Sequence, residues 1–151
     1  MKDYYMRKSD KISLPYGMKD VIDMVDVFGL DFKAGNALKY IVRAGRKSED
    51  KKDIISDLKK AIDYLERMKN TPVTHRDSPC IVPTMEDMIQ ITSALRLSRN
   101  RDTAMGYIIS IFNLDFEDTN RIRRIVDMAI SALYDEITEI ERGNVPKPFL
   151  D

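Results

Sequence analysis

The stretch Asp53–Met68, "DIISDLKKAIDYLERM", carries Ile54, Ile55, Leu58, Ala61, Ile62, Leu65 and Met68 at helical spacing. At about 100° per residue these side chains share one face of a helix. Asp53, Asp57, Lys60 and Tyr64 are expected on the opposite, polar face. Strand alternation is missing, so the segment predicts an amphipathic helix that needs a partner.

The neighbouring segments repeat the pattern. Upstream, the spacing predicts a helix over Phe32–Ala44 with Ala34, Ala37, Leu38, Ile41 and Val42 inward and Gly45 as its stop. From Gly17 onward, Val21, Ile22, Val25 and Phe28 predict another, closed by Gly29. Downstream, residues 70–83 hold three prolines and read as a linker. Beyond it, helices are expected over Met85–Leu97, over Arg101–Phe112 with Asn100 as N-cap, and over Asp118–Arg142. The last turns Ile122, Ile125, Val126, Ala129, Ile130, Leu133, Ile137 and Ile140 inward. Met85, Met88, Met105 and Met128 fall near apolar positions and read as core filler.

The expected fold class is all-α, a short-helix N-terminal hairpin unit followed by a C-terminal helical unit. The expected organisation is a polar arm (1–15), a helical domain (16–69), a linker (70–84) and a second helical unit (85–151). Short helices with broad apolar faces favour a homo-oligomer.

Bulk composition narrows the function classes. Hydrophobic residues make up 43% and charged residues 33% of 151, within the range of globular domains. No apolar run reaches the ~18 residues of a membrane span, and the first residues lack a secretory apolar stretch, so no membrane partner is expected. A single cysteine, Cys80, fits a reducing cytoplasm. Net charge is zero, which argues against polymeric nucleic acid as a partner. The charge is uneven, though. Lys33–Lys60 holds nine Lys/Arg against four Asp/Glu, and Asn113–Asp151 holds five against nine. The basic part suits a small anion or the acidic part of the chain.

The basic part has a definite pattern. Asn36, Lys39, Tyr40, Arg43 and, if the helix extends that far, Lys47 fall within about 100° of arc. No acid occurs from Phe32 to Ser48. Successive cations on one face repel by a few tenths of a kcal/mol per pair, roughly. Either an acid on the next helix, with Asp57 facing Arg43 or Lys39, or a bound phosphate relieves that. Arginine and lysine suit phosphate, Tyr40 or Tyr64 suits a base or sugar, and Asn36 suits a base edge. The sequence "AGRKS" is no P-loop, because Arg46 separates Gly45 from Lys47 and a helix precedes it.

These residues carry a resemblance. "PYGMKDVIDMVDVFGLDFKAGNALKYIVRAGRK" (15–47) and "DLKKAIDYLERM" (57–68) resemble a small phage and prophage domain family of unknown function. The shared pattern comprises Gly35, Asn36, Lys39, Tyr40, Arg43 and Lys47, then Asp57, Leu58, Lys59, Lys60, Ala61, Tyr64 and Leu65. Pro15-Tyr16 stands where many members carry His-Tyr. One member is a nucleotide kinase that phosphorylates deoxynucleoside monophosphates without a P-loop. The resemblance implies nucleotide binding in the cytoplasm of an infected or lysogenic host. If transfer occurs, it implies ATP or another nucleoside triphosphate, with magnesium as a candidate ion. Lys39, Arg43 and Lys47 would hold the phosphates, and Asp57 would orient a cation or the acceptor. Asn36, Tyr40, Lys60 and Tyr64 would bind the nucleotide. Two other functions stay open: an oligomer that sequesters a nucleotide signal against host defence, and a structural interaction module.

Other clusters are weaker. His75 reads as a solvated loop residue, and Cys80 has no visible base partner. Arg96, Arg99 and Arg101 surround a helix–helix turn and form either a basic surface or a second phosphate pocket. Asp135, Glu136, Glu139 and Glu141 lie on the last helix, where a magnesium pair competes with a solvated acidic face. A second acidic pair on a later helix is missing, so no metal site is assigned.

Overall fold

A computed structural model describes residues 14–71, 80–114 and 117–150. The described residues form six α-helices and one 3-10 turn, Pro15–Gly17. The helices are α1 (Val21–Phe28), α2 (Phe32–Arg43), α3 (Lys51–Asn70), α4 (Met85–Leu95), α5 (Arg99–Ile111) and α6 (Thr119–Glu141). Among these residues the sole β-type pairing is an isolated bridge between Ser98 and Pro148. His75 lies outside the described residues, as does nearly all of the expected polar arm.

Each helix starts on a side-chain cap. Asp20, Asp31, Asp50, Thr84, Ser98 and Asp118 accept backbone N–H groups of the first turns, which otherwise lack partners. Thr84 and Asp87 form a reciprocal capping box. The cap of α5 is Ser98 rather than Asn100, so this helix begins two residues earlier than the apolar spacing indicates. Gly29 ends α1 at φ +70°, a left-handed conformation that suits glycine. A Cβ there would stand 2.3 Å from Cys80 Sγ, so a side chain would also force Cys80 to move.

The helices share one core. α2 packs along α3, α5 along α6, and α3 also lies against α6. Leu38, Ile41, Leu58 and Leu65 from the first half join Leu95, Met105, Ile108 and Leu133 from the second in a single buried cluster. The apolar faces that suggested an oligomer thus find partners within the chain. Loop contacts tie the halves as well. Ile81 N–H donates to Val27 O at 2.8 Å, and the Tyr16 hydroxyl donates to Asp87 Oδ2 at 2.6 Å.

Several side chains depart from their expected faces. Ile22 is 55% exposed, and Met24 takes its place in the core of α1. The helix is only eight residues long, and its buried side is set by Val21, Met24 and Phe28 at i, i+3 and i+7. Met85 and Met128 are exposed, Met88 is half-buried, and Met105 alone of the four is fully buried. Glu136 is the main reversal, at 1% exposure. It does not belong to a solvated acidic face, because α6 lies against the start of α5. There Ser98 Oγ donates to Glu136 Oε2 at 2.5 Å and Asn100 Nδ2 to Oε1 at 3.4 Å. Arg101 Nε stands 4.0 Å away, so the buried carboxylate has both hydrogen bonds and a counter-charge.

Candidate functional site

The site grows from the α2–α3 hairpin. Leu38, Ile41 and Val42 turn one side of α2 into the core, which leaves Lys39, Tyr40 and Arg43 half-buried on the other. On α3, Leu58, Ala61, Ile62 and Leu65 do the same and leave Lys59, Lys60 and Tyr64 outward. Both stripes meet at two tyrosines. The rings of Tyr40 and Tyr64 stack with centroids 6.2 Å apart and planes 16° from parallel.

Cations surround this pair. Lys39 Nζ stands 5.0 Å from the Tyr40 centroid, Lys60 Nζ 5.4 Å and Arg43 Cζ 5.8 Å. Arg67 stands 5.6 Å from Tyr64. Each lies within the range where the negative ring face attracts a cation. An open groove of about 730 Å³ runs beside the rings, between Tyr40 and Tyr64 and the outward residues Lys52, Ser56, Lys59 and Lys60.

The acids nearby are largely engaged. Asp57 is not on the outward face of α3. It is 7% exposed, at the seam with α2, and its Oδ2 lies 3.7 Å from Arg43 Nε. The expected Arg43–Asp57 pair across the hairpin is therefore present. Asp63 pairs with Arg67 at 3.1 Å. Among the described residues Lys39, Lys52, Lys59 and Lys60 form no ion pair, so the groove keeps an excess of positive charge.

The remaining sequence candidates lie elsewhere. Asn36 Nδ2 donates to Phe32 O at 2.8 Å within its own helix, and with Lys39 it lines a shallow groove against α1. α2 ends at Arg43, where Ala44 turns to ψ 119°, so Lys47 does not continue the helical stripe. Lys47 stands exposed beyond the Gly45 turn. Arg96 and Arg101 line a separate cavity near that turn, while Arg99 lies over Phe149 at 4.9 Å. No group of three His, Cys, Asp or Glu suited to a metal occurs among the described residues. None of their helices is long and apolar enough to cross a membrane.

Sequence reasoning overlooked Lys52, Ser56 and Lys59 as groove residues. Their signal was readable, because 52, 56, 59 and 60 recur at helical spacing on the exposed side of α3.

The family described as a protein of unknown function (DUF3310) matches residues 16–66, a span that contains α1, α2 and most of α3. No curated protein and no solved structure matched the chain. Similarity to an uncharacterised family thus covers the tyrosine groove and stops short of α4–α6.

Proposed function

We propose that the α2–α3 groove binds a nucleotide. One observation carries this reading: a stacked Tyr40–Tyr64 pair ringed by Lys39, Lys60 and Arg43, beside a groove whose lysines lack acid partners. Because the rings already pack on each other, a base meets their outer faces and edges. Phosphate then falls to Lys52, Lys59 and Lys60, with Ser56 as a neutral hydrogen-bonding group. The excess charge is a reason for an anion, and the rings are a reason for a planar one.

Phosphoryl transfer is the activity implied by the resemblance to the phage family. In it, a phosphate oxygen of a deoxynucleoside monophosphate attacks the γ-phosphorus of a nucleoside triphosphate. The bond to the β–γ bridging oxygen breaks, and two diphosphates leave. Lys39 and Arg43 would neutralise the transferring group. Asp57 faces Arg43 and is buried, so its part is to hold that guanidinium rather than to accept a proton. Sequestration of one nucleotide needs only the single groove and no second substrate. Self-association belongs to the same proposal, supported by the exposed Ile22 and Phe32 on the rim of α1 and α2.

Calorimetric titration with ATP and each deoxynucleoside monophosphate tests binding. Tyr64→Ala should weaken it by about 5- to 100-fold, the usual worth of one base–aromatic contact. Binding unchanged in Tyr64→Ala and Lys60→Gln would remove the groove as the site. Incubation with ATP and each monophosphate then separates the activities. Diphosphate product means transfer, and stoichiometric binding without product means sequestration. A solution mass equal to the 17.5 kDa chain would remove self-association.

A further inference from the structure

A second cavity, of about 590 Å³, shares no lining residue with the tyrosine groove. Its wall comes from distant parts of the chain: the Gly45 turn with the start of α3, the end of α4, Arg101 on α5, and the end of α6 with the segment after it. That last segment is pinned in place. Phe149 N–H donates to Leu97 O at 2.7 Å, and Arg99 lies over the Phe149 ring. Arg101 donates to Ala44 O at 2.7 Å, Arg46 to Leu95 O, and Lys51 to Glu141 O at 3.0 Å. The cavity is thus a built seam between the halves.

Its lining is amphipathic. Ile54, Leu95 and Ile140 supply apolar surface. Arg46, Lys51, Arg96 and Arg101 supply four cations against the carboxylates Glu49 and Glu136. Glu136 is already held by Ser98, Asn100 and Arg101. The excess of two positive charges matches a phosphate monoester, which carries roughly −1.5 to −2 at neutral pH.

Arg96 adds an independent sign. It caps α4 in the left-handed conformation, at φ +53° and ψ 42°, where glycine is the unstrained choice. Its side chain makes no hydrogen bond or ion pair among the described residues. Arg96 is solvent-exposed at the wall of the cavity, so its guanidinium is open to an anion there, and it stands in a backbone conformation that glycine would adopt without strain.

We propose that this cavity binds a small organic phosphate, its phosphoryl group on the cationic wall around Arg96 and its apolar body against Ile54, Leu95 and Ile140. The site is independent of the tyrosine groove. The test is calorimetric titration with n-butyl phosphate and with inorganic phosphate. Butyl phosphate should bind one per chain, at least tenfold tighter than inorganic phosphate. Arg96→Gly should weaken it tenfold or more while raising the melting temperature, because glycine relieves the strained cap. Arg96→Gln, which keeps the strain and removes the charge, should weaken it similarly. Lys60→Gln in the groove should leave it unchanged. Absence of saturable binding, equal affinity for inorganic phosphate, or insensitivity to both Arg96 variants would overturn the proposal. So would loss of binding in Lys60→Gln instead.

Discussion

Gly35→Ala offers a clean test of how α1 sits on α2. Gly35 is buried within α2, and a Cβ built there would stand 2.9 Å from Val25 Cγ2 on α1. Two effects oppose each other. Alanine is favoured over glycine in a helix interior by about 1 kcal/mol. Overpacking a close contact costs about 1–3 kcal/mol. Valine is stiff at χ1, so relief requires α1 to shift as a body. The close approach should therefore win, and Gly35→Ala should lose about 1 kcal/mol in urea unfolding. Val25→Ala removes the opposing methyls and should cost about 1 kcal/mol by itself. In that background Gly35→Ala should reverse sign and stabilise by about 0.5–1 kcal/mol. The double-mutant coupling is then about 2 kcal/mol. If Gly35→Ala stabilises equally in both backgrounds, the close approach does not explain this glycine.

Three further outcomes are expected. Ser98→Ala removes both the α5 cap and a hydroxyl donor to buried Glu136, and should cost about 2–3 kcal/mol in urea unfolding; a loss under about 0.5 kcal/mol would contradict the buried network. Asp57→Asn removes the counter-charge of Arg43, so stability should fall by about 1–3 kcal/mol while nucleotide affinity in the groove rises severalfold, an opposition readable by pairing denaturation with calorimetry. The Tyr16–Asp87 contact should show in the pH profile: the hydrogen bond from Tyr16, with others from Thr84, holds the Asp87 carboxyl below its usual 3.8. Its contribution is present above that value and lost as pH falls through the lower folded one. The hydrogen bond to Asp87 also holds Tyr16 above its usual 10.0, so the contribution is present below 10.0 and lost as pH rises past the folded value. The difference in urea midpoint between wild type and Asp87→Asn should thus be level between about pH 4 and 10 and shrink outside that window.

Much of this protein is local and readable without coordinates. The apolar faces of α2, α3 and α6 follow from helical spacing, because burying one side of a helix demands that spacing whatever the partner. The stops at Gly29 and Gly45 follow from the left-handed φ that each adopts, which glycine takes without strain. The cationic row on α2 was legible from the same spacing, and an acid of α3 facing it was expected because the two helices are neighbours in sequence, but packing chose Arg43 over Lys39 and buried Asp57 at the seam. Short helices are harder to read. In α1 a single misplaced residue, Ile22 for Met24, changes the buried face, because eight residues make barely two turns.

What tertiary structure alone decided is which faces meet. Glu136 reads as one of several acids on α6 until Ser98, Asn100 and Arg101 arrive from α5 to enclose it. Lys47 leaves the stripe because the chain turns at Ala44 to reach α3. The second cavity exists only where the Gly45 turn, the end of α4, Arg101 of α5 and the end of α6 with its following segment converge. Periodicity encodes which side of a helix is buried. It carries no information about the element that buries it, and that choice rests on packing between residues far apart in the chain.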